Sequence, residues 1–138
     1  MNDALRSLYQ DVILDHHKSP RNHGPLDGAT HHATVDNPLC GDRVTVHLAV
    51  RDRIDAARFE ARGCALSRAA GSILTESAVG KTPAEARALA GAFEAFVAGA
   101  APAPTDALAV FAGVREFPAR AACATLPWQA LLRALENA

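Results

Sequence analysis

The sequence predicts an α+β fold: a small antiparallel three-stranded sheet with helices packed on one face. Two observations carry this. Between residues 32 and 62 apolar and polar side chains alternate with the period of two that a half-buried strand requires; from residue 64 onward apolar residues recur at three and four, the helical spacing. Strand-like segments grouped ahead of helical ones point to α+β, not to an alternating α/β sheet. A chain of 138 residues with 49% hydrophobic content can bury one core without disulfide staples, so a single domain over 1–138 is expected.

Taken in order, residues 4–16 place Leu5, Leu8, Tyr9, Val12 and Ile13 on one face of a helix, with Asp3 as its expected N-cap. The segment "KSPRNHGPLDG" carries two prolines and two glycines and reads as a long irregular loop. "HATVDN" (32–37) supplies one strand, and "RVTVHLAV" (43–50) a second, with Val44, Val46, Leu48 and Val50 on one face. "RIDAARFEAR" (53–62) is the third, joined to the second by an expected two-residue turn at Arg51 and Asp52. "CALSRAAGSILTESAVG" (64–80) suits a buried helix through Leu66, Ala69, Ala70, Ile73 and Leu74. The next helix opens on Thr82 as N-cap, Pro83 at the first helical position and Glu85 at the third. That is a capping box, and the proline there lacks only an N–H that would have had no helical partner. Its inward stripe is Leu89, Phe93, Phe96 and Val97, and Gly99 ends it. Two further helical stretches are expected around 106–114 and 125–136.

Fourteen basic against 15 acidic residues leave a net charge of −1, which excludes a broad nucleic-acid footprint. No apolar run approaches the roughly 18 residues of a membrane span, and "MNDALRSLYQDV" lacks the layout of a signal peptide. A cytoplasmic protein with neither nucleic-acid nor membrane partners is expected. Three cysteines, an odd number, argue against a disulfide framework and leave metal or thiol chemistry open.

Those cysteines are Cys40, Cys64 and Cys123, with no CxxC among them. Each falls near an expected element end, where backbone N–H groups favour a thiolate. Cys40 lies in "NPLCGD", among turn residues and away from apolar neighbours; Cys123 just precedes "TLPWQALL". A tetrahedral zinc site needs four ligands, and Asp42, two residues past Cys40, can supply the fourth if Gly41 turns the backbone. The plainer readings are that Cys64 and Cys123 fill core space and that Asp42 makes an Asx-type turn bond. Among six histidines, His16 and His17 end the first helix, His23, His31 and His32 lie in or beside the following loop, and His47 is on a strand face. None has the i, i+4 spacing of a helical metal pair.

Four blocks in order, "LYQDVILDHHKSPRNHG", "NPLCGD", "GCALSRAAGSIL" and "CATLPWQAL", resemble the SufU branch of the IscU/NifU-N iron–sulfur cluster assembly family, over about residues 8–135. The IscU type usually has a histidine directly before its last cysteine, where this chain has Ala122; a lysine there would be more usual for SufU. Arg120 and the long interval from Cys64 to Cys123 fit the SufU pattern. The resemblance implies a NifU-like fold and a zinc site formed by Cys40, Asp42, Cys64 and Cys123. It also implies a SufS-type cysteine desulfurase as sulfur donor and downstream iron–sulfur assembly proteins as recipients. Cys40 would be the persulfide acceptor, and Arg120 would orient Asp42 or meet an acidic group of the partner. The alternative it leaves open is a scaffold building a [2Fe–2S] cluster, or holding iron, on the same residues.

Overall fold

The computed structural model of the chain describes residues 3–38 and 41–136. Helix α1 (Asp3–Lys18) precedes strands β1 (His31–Asn37), β2 (Asp42–Val50) and β3 (Ile54–Arg62). Helices α2 (Ala65–Ala78), α3 (Pro83–Val97) and the single turn α4 (Asp106–Ala109) follow. A 3-10 turn at Ala112–Glu116 then leads into α5 (Pro118–Glu136). The strands form one antiparallel sheet in the order β1-β2-β3. The expected α+β arrangement is the one observed.

Strand alternation decides which face of the sheet is covered. Ala33 and Val35, Val44, Val46 and Leu48, and Ile54, Ala57 and Phe59 point into the core, while Thr34, Thr45 and Glu60 face outward. Helix α5 lies over β1 and β2, α2 over β3, and α3 packs behind α5. Gly71 permits the close approach of α2, because a Cβ there would sit 2.5 Å from the Phe59 ring. Behind the helices Phe93 meets Phe111 and Trp128, each with ring centroids 5.6 Å apart. The capping box at the start of α3 is present: Glu85 N–H donates to Thr82 Oγ1 at 3.1 Å, and Thr82 N–H to Glu85 Oε1 at 2.9 Å.

Several local expectations are corrected. The β2–β3 turn spans three residues, 51–53, and the register shifts between Ala49 and Val50. Asp3 lies within the first turn of α1 instead of capping it. Helix α1 buries no residue completely: Tyr9, Val12 and Ile13 rest partly on the core, but Leu5 and Leu8 are exposed. The reason is that α1 has essentially one neighbour, α2. Its C-terminal end is pinned there by polar contacts, with His16 Nδ1 2.6 Å from Ser72 Oγ and Arg21 N–H donating to the same oxygen at 2.8 Å. The stretch 106–114 is divided between α4 and the 3-10 turn, not one helix. Finally, α5 begins at Pro118, seven residues before the expected start at 125. Among the described residues no helix is long and apolar enough to cross a membrane.

Candidate metal centre

The early start of α5 changes the setting of Cys123, which sits inside the helix and not before it. Pro127 falls inside this helix, and having no N–H it cannot bond the carbonyl four residues back. That carbonyl is Cys123's own. The helix tolerates the gap because the Ser67 hydroxyl lies 3.2 Å from Cys123 O and can donate to it. Ser67, buried in the first turn of α2, also donates to Asp42 Oδ2 at 2.8 Å, so its single proton serves two acceptors and the shorter bond goes to the carboxylate.

Asp42 opens β2 and is 2% exposed. Its Oδ1 accepts the backbone N–H of Cys64 at 3.0 Å. Cys64 is the N-cap residue of α2, so the positive end of that helix faces the carboxylate. Burial opposes ionisation of Asp42, but hydrogen bonds from Cys64, Ser67 and Cys123 outweigh it and hold the carboxyl below its ordinary value of 3.8. Gly63 makes the approach possible: with φ at +130°, a Cβ there would fall 1.9 Å from Asp42 Oδ1.

Three parts of the chain thus converge. Ligand atoms of Asp42, Cys64 and Cys123 all lie within 4.8 Å of one another, with Asp42 and Cys123 buried and Cys64 half-buried. Zinc bonds of about 2.3 Å to sulfur and 2.0–2.2 Å to oxygen place neighbouring donors roughly 3.5–3.8 Å apart, within small side-chain adjustment of this arrangement. Two thiols and a carboxylate are also a donor set that suits zinc or an iron–sulfur cluster. The three residues therefore fit the metal that the sequence suggested.

Cys40 lies outside the described residues. On either side of it, Gly41 N–H bonds to Asn37 O at 2.8 Å and Asn37 pairs with Asp42 across the β1–β2 hairpin, with Gly41 at φ +75°. Arg120 is on α5, one turn before Cys123, with its guanidinium 5.0 Å from the centroid of the Phe117 ring. Beside the centre a groove of about 870 Å3 opens between α1 and the segment leading into α5. Cys64 and Cys123 line it together with Tyr9, Ile13, Phe117 and Arg120.

The sequence of the NifU-like N-terminal domain family matches residues 8–124. The chain belongs to that family. This NifU-like chain is 37% identical over 137 residues to the iron–sulfur cluster assembly scaffold protein IscU of Streptococcus pyogenes serotype M1, a match covering 96% of the chain and 86% of the relative. To the zinc-dependent sulfurtransferase SufU of Bacillus subtilis it is 37% identical over 134 residues, covering 94% and 90%. The crystal structure of a nitrogen-fixing NifU-like protein (N-terminal) from Brucella abortus superposes with a TM-score of 0.85 at 29% identity, covering 96% and 94%.

Sequence reasoning missed Ser67 and Phe117. Ser67 had a signal: a hydroxyl three residues after Cys64, in the first turn of an expected helix, can serve a neighbouring acceptor. Phe117 had none, because its value depends on where α5 starts.

Proposed function

We propose that this chain is a sulfur carrier in iron–sulfur cluster assembly that takes persulfide sulfur from a SufS-type cysteine desulfurase onto Cys40. The observation that carries the reading is the convergence of Asp42, Cys64 and Cys123 from three distant segments around one buried carboxylate. Cys40, two residues before Asp42 in sequence, completes a set of four donors. Zinc bound by these residues would keep the thiols as thiolates at neutral pH and, having no redox activity, leave their sulfur unoxidised.

The transfer itself needs only sulfur chemistry. The Cys40 thiolate attacks the outer sulfur of the donor's persulfide, a new S–S bond forms on Cys40, and the donor cysteine departs as thiolate. Cys64, Cys123 and Asp42 hold the site together while Cys40 reacts, and Ser67 keeps Asp42 in place. The groove that opens on Cys64 and Cys123 gives a partner's segment a route to the site, and Arg120 on its wall can meet an acidic group there.

The second reading is a scaffold that assembles a [2Fe–2S] cluster on the same residues, and the S. pyogenes relative named as a scaffold supports it. One experiment separates the two. The chain is purified in air, its metal is measured, and it is added to a SufS-type desulfurase with and without the Cys40→Ala substitution. One zinc per chain and Cys40-dependent stimulation of alanine release are expected. A coloured, iron-containing protein that gives no stimulation would overturn the carrier reading in favour of the scaffold. Full stimulation by Cys40→Ala would remove Cys40 as acceptor.

A further inference from the structure

The outer face of the sheet, away from the helices, gathers histidines that are remote in sequence. The β1–β2 register pairs His32 directly with His47. Their rings lie nearly parallel, with centroids 6.4 Å apart and 26° between planes. His47 Nε2 is 2.8 Å from Glu60 Oε1 on β3, and its side chain is only 16% exposed. Two imidazoles and a carboxylate therefore stand on three adjacent strands of one rigid sheet.

The surroundings leave these groups available to a cation. Arg58, which pairs with His47 across β2 and β3, directs its guanidinium to the His23 carbonyl at 2.6 Å. Thr34 and Thr45 bond to each other at 2.7 Å, and Arg43 bonds to Asp36 at 2.7 Å, so the adjacent outward residues are engaged among themselves. A metal–nitrogen bond is about 2.0–2.1 Å and a metal–oxygen bond about 2.0–2.2 Å, so an ion can replace the proton between His47 and Glu60 with a modest widening of that gap. His32, exposed on the edge strand, does not converge on the other two as it stands and would join them at one ion only by turning its side chain toward Glu60.

We propose that His32, His47 and Glu60 form a second, thiolate-free site for a divalent transition-metal ion. Imidazole and carboxylate donors suit zinc, cobalt, nickel and copper ions. Three protein ligands leave a coordination position open to water, which makes this an exchangeable holding site and not a closed structural one. It lies about 17 Å along β2 from Asp42, at 3.3–3.4 Å per residue, so it shares no ligand with the thiolate centre.

The test adds Zn2+ to the full-length chain beyond the first equivalent and follows the imidazole nitrogens by NMR, with calorimetry for affinity. The His32 and His47 resonances are expected to move together at micromolar zinc while His31, whose ring bonds to Thr30 Oγ1 at 2.7 Å, stays in place. His47→Gln should weaken this binding by at least about tenfold and His32→Ala comparably, whereas His31→Ala leaves it unchanged. These are surface positions, and an unaltered amide spectrum in each variant confirms the fold. Failure of the resonances to move at millimolar zinc would overturn the proposal. So would equal weakening by His31→Ala, or loss of the same shifts in Cys64→Ser, which would place the ion at the thiolate centre.

Discussion

Replacing Gly63 with alanine tests how the candidate centre is held together. The added Cβ would lie 1.9 Å from Asp42 Oδ1 and 3.0 Å from Asp42 Cα, so the carboxylate must leave its position. Leaving breaks the 3.0 Å bond from Cys64 N–H, and a hydrogen bond to a charged group is worth about 1.5–3 kcal/mol. A non-glycine residue held at φ +130° adds strain of about 1–3 kcal/mol. The metal-free variant should therefore lose about 2.5–6 kcal/mol in urea unfolding. Zinc affinity, measured by competition with a chromophoric chelator, should fall as well. Gly41→Ala is the control: its φ is +75°, but nothing lies within 4 Å of its Cβ, so only the backbone strain of about 1–2 kcal/mol remains. If the two variants are equally stable, contact with Asp42 contributes nothing and the account of the site's geometry is wrong.

Ser67→Ala leaves both the buried Asp42 carboxylate and the carbonyl freed by Pro127 short of a donor, and should cost about 1.5–3 kcal/mol in urea unfolding of the metal-free chain. The carboxyl of Asp42 titrates below 3.8 when folded, so the stability it contributes is present above its unfolded value of about 3.9 and is lost as pH falls through the lower, folded value. Urea midpoints of the metal-free protein between pH 6 and pH 3 should show this decline, and Asp42→Asn should flatten it. Gly71→Ala drives a methyl into the buried Phe59 ring and should destabilise by about 1–3 kcal/mol. Thr82→Ala removes half of the α3 capping box, with an expected loss of about 1 kcal/mol and no effect on metal binding.

The three strands and the α3 cap were legible because they follow from local rules: Val44, Val46 and Leu48 alternate, and Thr82, Pro83 and Glu85 stand in a fixed pattern. Helix α5 was misread for an equally local reason. Its expected start rested on the local segment "TLPWQALL", and nothing near it in sequence reveals that Ser67 meets the carbonyl that Pro127 leaves unpaired. The apolar stripe of α1 was correct as a pattern, yet its burial depended on how many neighbours it would find, and it found one. At the centre, Asp42, Cys64 and Cys123 were identifiable as candidates from residue type, but their separation in the chain gave no measure of nearness. The pairing of His32 with His47 was hidden in the same way, since strand register and not spacing brings them together.

The bond from Ser67 to the Cys123 carbonyl also bears on the order of events during synthesis. A nascent chain that has completed the sheet and α2 already owns Cys40, Asp42, Gly63, Cys64 and Ser67, but lacks Cys123 until the last helix is made and docks. Until then the Asp42 carboxylate and the Cys64 thiol stand without the buried thiol that faces them in the folded chain. The group of Asp42, Cys64 and Cys123 is therefore assembled only in the finished molecule, and a chain truncated before α5 would lack both Cys123 and the helix that seats it.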